Sequence, residues 1–175
     1  CQGGADSQVD GFHKEKISMY SKAEASQIRR QFWVKFDEFS RPYLGKNGKW
    51  MTYNTGIKDL VLKFDINRSY ARVMLAVECK NEDIRFDVFC KLHECELVLN
   101  NYLGEGWIWD EMLVLENGKP VCAVYKQIDN VDIYRQECWE TVHKFFAEEM
   151  TRLEKAIVEI RPFFEDYVKN LIKGN

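Results

Sequence analysis

The chain has 175 residues, 46 % hydrophobic and 14 % aromatic, with a formal net charge of −3. That length fits one domain with a real core, and the apolar content excludes general disorder. The acidic balance is unlike that of a dedicated basic nucleic-acid binder, and no apolar run approaches the roughly 20 residues of a membrane-spanning helix, so no membrane contact is predicted.

Residues 1–18 are rich in Gly, Asp, Gln and Lys and lack periodicity. They read as a flexible leader or tag-like extension, with Met19 as a natural start and 19–175 as a single α/β domain. Ser21-Lys-Ala-Glu24 is a capping box. Ile28, Phe32, Phe36 and Phe39 follow helical spacing, so a first helix is predicted over residues 21–39. Between Tyr20 and Trp50 stand Lys22, Arg29, Arg30, Lys35, Arg41, Lys46 and Lys49 against only Glu24, Asp37 and Glu38. That stretch is either a solvated surface or a face that meets an anion. Pro42, Gly45, Asn47 and Gly48 mark a loop, and residues 50–53 read as a short strand.

Leu60, Leu62 and Phe64 alternate, and Ala71, Val73, Leu75, Val77 and Cys79 alternate again after a turn, which is a β-hairpin signal. Asn81-Glu-Asp opens a second helix predicted to reach Leu103, with Ile84, Val88, Phe89, Leu92, Leu97 and Leu99 as its stripe. Residues 107–115 and 121–128 flank Glu116-Asn117-Gly118-Lys119, a hairpin turn. From about residue 136 the chain is helical nearly to its end, and Pro162 kinks that helix or starts another. The predicted order is α-β-β-β-α-β-β-α. The six cysteines lack a framework spacing and read as mostly buried free thiols in a reducing compartment, which predicts a cytoplasmic protein.

Glu78-Cys79-Lys80 puts a carboxylate and an ammonium on one strand face. A metal-dependent phosphodiesterase needs that combination: carboxylates hold Mg2+, and a lysine orients water or stabilises developing charge. A turn centred on Asn67 and Arg68 pairs Asp65 with Tyr70, about 26 Å along the strand from Glu78. The same turn pairs Asp59 with Ala76, diagonal to Glu78 and on its face. The candidate site is therefore Asp59 and Glu78 as metal ligands with Lys80 as catalytic partner. Glu24, Glu38 or Asp83 is a candidate for a further ligand.

A helix, three strands and a helix, with Asp on strand two and Glu-x-Lys on strand three, resembles the PD-(D/E)xK restriction-endonuclease-like superfamily over residues 21–115. The resemblance implies a restriction-endonuclease-like α-β-β-β-α-β core, here with an extra β-hairpin strand and a long C-terminal helix. It further implies Mg2+-dependent action on nucleic acid. Lys58 stands where that motif carries Pro. The chain from Met19 also resembles the bacterial domain of unknown function family 4268, through Met19-Tyr-Ser-Lys-Ala-Glu-Ala, Gln31-Phe-Trp33, Thr55-Gly-Ile-Lys-Asp59, Trp107-Ile-Trp109 and residues 133–139. That resemblance implies no activity.

Other clusters read as structural. Cys90, His93 and Cys95 need distant ligands to close a zinc tetrahedron. Glu140 and His143 match one half of a di-iron helix pair whose other half is missing. Trp107, Trp109, Tyr125, Phe145, Phe146, Phe163 and Phe164 read as core or dimer interface rather than a base-stacking platform. Two functions follow: a nuclease-like domain that binds or cleaves nucleic acid, or a non-catalytic interaction domain with a degenerate site, homodimeric through the C-terminal helix.

Overall fold

The computed structural model describes residues 20–174. The expectations for residues 1–18, Cys1 and Met19 lie outside the described residues. Helix α1 spans Lys22–Ser40. Its start is the expected capping box: Ser21 Oγ accepts from the Glu24 amide at 3.2 Å, and the Glu24 carboxylate accepts from the Ser21 amide at 2.9 Å. Phe32 and Phe36 are buried, while the seven basic residues from Lys22 to Lys49 are all exposed.

Residues 50–53 form no strand. Trp50 instead stacks on Phe36 at 6.4 Å and meets Phe64 edge-on at 5.8 Å. The Met51 amide donates to the Glu154 carboxylate. A side-chain acceptor thus satisfies backbone that a sheet neighbour would otherwise have to pair, and Tyr53, at φ 59°, breaks the extended path. The predicted α-β-β-β-α-β start consequently has two strands before its helix rather than three.

Those strands are β1 (Leu60–Ile66) and β2 (Tyr70–Val77). The single helix expected to Leu103 is two, α2 (Glu82–Glu94) and α3 (Glu96–Leu103). At the break the Cys95 amide turns to the Leu92 carbonyl at 3.0 Å, a 3₁₀ step. Leu97, expected in the apolar stripe, is 83 % exposed as a result. β3 (Ile108–Val114) and β4 (Pro120–Asp129) form the second hairpin. α4 runs Trp139–Lys173 without ending at Pro162. The continuous buried face from Trp139 to Val168 outweighs the one backbone bond that proline removes. Among the described residues no helix is long and apolar enough to cross a membrane.

The sheet is antiparallel throughout, in the order β1-β2-β4-β3, so the chain is a mixed α+β domain. One sheet face packs Leu62, Val73, Leu75 and Val124 against Phe32, Phe146, Met150 and Ile157 of α1 and α4. The other face buries Met74, Ala76, Leu113, Val121, Ala123 and Tyr125, all strand side chains. Two contacts show how it is closed. β3 bulges between Asp110 and Leu113. The β3–β4 turn then reaches back, with Glu116 accepting from Asn67 at 2.6 Å and Lys119 meeting Glu78 at 3.1 Å. The cysteines from Cys79 onward are free, but only Cys122 is buried and Cys90 is exposed, so the expectation of mostly buried thiols is corrected. Of the aromatics assigned to the core or a dimer interface, Tyr125, Phe146 and Phe164 are buried and Phe163 is 75 % exposed.

His143 is buried among Phe32, Phe36, Phe39 and Trp139. Burial in this apolar cage lowers its pKa from 6.5 to about 4. The folded state therefore resists protonation, and His143 contributes stability that is fully present above pH 6.5 and is lost as pH falls toward 4. The loss amounts to about 3 kcal/mol at completion. Urea unfolding of wild type and His143→Phe between pH 7 and pH 4 checks this: the stability difference between the two should shift toward the variant by about that amount.

Candidate functional site at the hairpin base

The β1–β2 register pairs Leu60 with Val77 and Asp65 with Arg72. It differs by two residues from the register expected from a turn centred on Asn67 and Arg68. The cause lies in Asn67, whose side-chain oxygen accepts from the Ser69 amide at 2.8 Å and the Tyr70 amide at 2.9 Å. That Asx arrangement makes Asn67 the first turn residue and moves the centre to Arg68 and Ser69. A two-residue shift keeps every side chain on its predicted face. It does change the partner of Asp59, which is Glu78 rather than Ala76: the Glu78 amide donates to the Asp59 carbonyl at 2.8 Å.

Asp59 precedes β1 and has φ 60°. This left-handed conformation is uncommon for a side-chain-bearing residue, though Asp tolerates it. Buried Thr55 shapes the approach, donating to the Leu60 carbonyl at 2.7 Å and accepting from the Ile57 amide at 3.2 Å. Lys80 is exposed and lies three residues past the end of β2. Glu78 and Lys80 both follow Val77, the last residue of β2, so strand alternation does not set their faces there.

Glu78 is engaged from two sides. Lys63 on β1 and Lys119 in the β3–β4 turn both pair with it, one at each carboxylate oxygen. Its side chain is 17 % exposed. Burial pushes the Glu78 carboxyl up, but the hydrogen bonds and charges of the two lysines together hold it below its usual value. Lys63 also lies over the Tyr53 ring at 5.7 Å. Neither lysine stood out in the sequence. A lysine alternating with apolar residues reads as a solvent-facing strand position, and contact with Lys119 depends on the fold of the second hairpin.

These residues fit a resident Mg2+ poorly. The ion needs only one or two carboxylates, but both Glu78 oxygens already face ammonium groups. Among the described residues no three His, Cys, Asp or Glu side chains gather as a ligand set. Of the further candidates, Glu24 is occupied by the helix cap. Asp83 lines a separate cleft of about 280 Å³ between α2 and β3. His93 stacks on Trp109 at 4.3 Å instead of turning to Cys90 and Cys95.

A family model described as Domain of unknown function (DUF4268) matches residues 28–161. Neither a curated protein nor a solved structure matches the chain.

The lysine grip has a stability signature. Because the folded Glu78 carboxyl titrates below its ordinary value of 4.5, the contribution is present above that pH and disappears as pH falls through the folded value. Glu78→Gln should cost about 1–2 kcal/mol at pH 7, and the gap should close in acid. Denaturant titrations of both proteins across that range measure it.

Proposed function

The chain belongs to the family described as Domain of unknown function (DUF4268), and within it we propose a nuclease-like domain that binds nucleic acid. The supporting observation is electrostatic. Lys22, Arg29, Arg30, Lys35, Arg41, Lys46 and Lys49 are exposed, and none pairs with a carboxylate within 4.0 Å among the described residues. Such unpaired cations on and after one helix suit a phosphate backbone, whose counterions they replace. A net charge of −3 does not oppose a local basic face.

The restriction-endonuclease-like half of the reading rests on Asp59, Glu78 and Lys80 and on the backbone bond beside the two acids. In it, Asp59 and Glu78 would hold Mg2+, which supplies Lewis-acid charge at a phosphate, and Lys80 would approach the reacting oxygen. The grip of Lys63 and Lys119 on Glu78 opposes this, so binding is better supported than cleavage. Free thiols in the described chain suit a cytoplasmic setting. One observation favours a second reading as a homodimer: Phe163 is 75 % exposed on α4.

A labelled DNA duplex read by fluorescence anisotropy tests the proposal. Wild type should bind with an affinity that falls steeply with salt, and the triple variant Arg30→Glu, Lys35→Glu, Arg41→Glu should lose at least about tenfold. Absence of salt-sensitive binding to any nucleic acid sinks the reading. Plasmid nicking in Mg2+ by wild type but not by Glu78→Ala would establish cleavage; binding without nicking would leave a binding domain. A monomer mass by light scattering removes the homodimer.

A further inference from the structure

Tyr134 lies between β4 and α4, and three side chains from distant parts of the chain converge on it. The Arg29 Nε of α1 donates to its hydroxyl at 2.7 Å, with the guanidinium 5.5 Å from the ring centre. Arg68, from the tip of the β1–β2 turn, lies over the same ring at 5.0 Å. Tyr20 stacks on it with centroids 6.0 Å apart and planes 22° from parallel. Backbone bonds hold the parts together: the Ile133 amide donates to the Asn67 carbonyl at 3.1 Å, and the Tyr134 amide donates to the Asp132 carboxylate at 2.9 Å.

The cluster is chemically incomplete. Arg29 and Arg68 bring two guanidiniums to one ring, and among the described residues neither has a carboxylate within 4.0 Å. Two uncompensated guanidiniums against one ring attract an anion. Guanidinium forks match a phosphate in particular. Tyr20, Arg29 and Arg68 are all exposed, so a ligand can reach them. Beside the two cations is a tyrosine stack whose outer ring, Tyr20, is 45 % exposed. Basic groups beside an open aromatic stack are the elements with which single strands are held: phosphate on the cations, base on the ring. Duplex bases are already stacked on one another and cannot take that place.

We propose that Tyr20, Tyr134, Arg29 and Arg68 form a subsite for single-stranded nucleic acid. The arginines take a backbone phosphate, and an unpaired base extends the tyrosine stack. The subsite lies at the opposite end of the hairpin from Glu78, with Arg68 about 33 Å away counted along the strand. It rests on the nucleic-acid reading for its ligand class and on none of the hairpin-base residues. A flexible strand of a few nucleotides spans that distance.

The probes are labelled dT12, a 12-base-pair duplex, AMP and inorganic phosphate, read by anisotropy or by competition. Wild type should bind dT12. Arg68→Ala and Tyr20→Ala, both at exposed positions, should each weaken it about 5- to 20-fold while leaving duplex affinity unchanged. AMP should compete better than inorganic phosphate, since it alone brings a base. Duplex binding without dT12 binding overturns the subsite and leaves the parent reading standing; binding of neither overturns both. Equal competition by phosphate and AMP, or dT12 affinity indifferent to both substitutions, also overturns it. Binding of dT12 that is sensitive to Arg68 and Tyr20 supports it even where the duplex does not bind.

Discussion

The turn at Asn67 is the constraint on which the rest of the molecule depends. Its side-chain oxygen closes on two amides, and its own amide donates to the Tyr70 carbonyl at 3.1 Å. This fixes which β1 residue meets which β2 residue. A one-residue slip would turn Leu60, Leu62 and Phe64 out of the core. A two-residue slip would keep the core but separate Asp59 from Glu78. The same turn carries Arg68 at its tip, gives its carbonyl to Ile133, and receives Glu116 from the other hairpin. Both ends of the hairpin, one beside Tyr134 and the other beside Glu78, are set by a single polar side chain.

Local signals made much of this legible in the sequence. The capping box of α1 and the apolar parity of the first hairpin are short-range, and they hold as read. Parity gives the face of each residue but not the register, because shifts of two residues leave it unchanged. The register needed the hydrogen bonding of Asn67, which centres the turn one residue later than expected. The strand expected at 50–53 failed for a different reason. Trp50 and Met51 are apolar enough for a sheet, but their partners are Phe36, Phe64 and Glu154, far apart in sequence. Lys63 and Lys119 reach Glu78 from separate strand pairs, so their pairing was beyond any local pattern. The Tyr134 cluster draws on four segments and leaves no spacing to read.

Glu78 illustrates how a structural duty bears on a chemical one. It anchors the β3–β4 turn through Lys119 and the outer β1 edge through Lys63. The turn in turn covers a sheet face whose buried side chains come from the strands alone. A half-buried carboxylate is costly unless its charge is matched, and the two ammonium groups match it. A divalent ion at Glu78 would displace the lysine on each oxygen it takes. Cation binding there therefore competes with the pairings that tie Glu78 to β1 and to the β3–β4 turn.

The charges of the two signs divide their labour. Many carboxylates are acceptors within the fold. Glu24 caps α1, Glu116 holds Asn67, Asp110 takes the Met112 amide, Asp132 takes the Tyr134 amide, Glu149 meets Lys126 and Glu154 takes the Met51 amide. Each accepts from a donor of the fold, at Met51 and Tyr134 from a part-buried amide withdrawn from water. Among the described residues, the basic residues of α1 and the following loop pair with no carboxylate within 4.0 Å. Arg29 rests on Tyr134, through its hydroxyl and beside its ring, and Lys35 lies over the Trp139 ring at 5.4 Å. A formal charge of −3 counts both groups alike. An approaching anion does not: it meets cations that the fold leaves uncommitted, while much of the opposing charge is already engaged in holding the backbone.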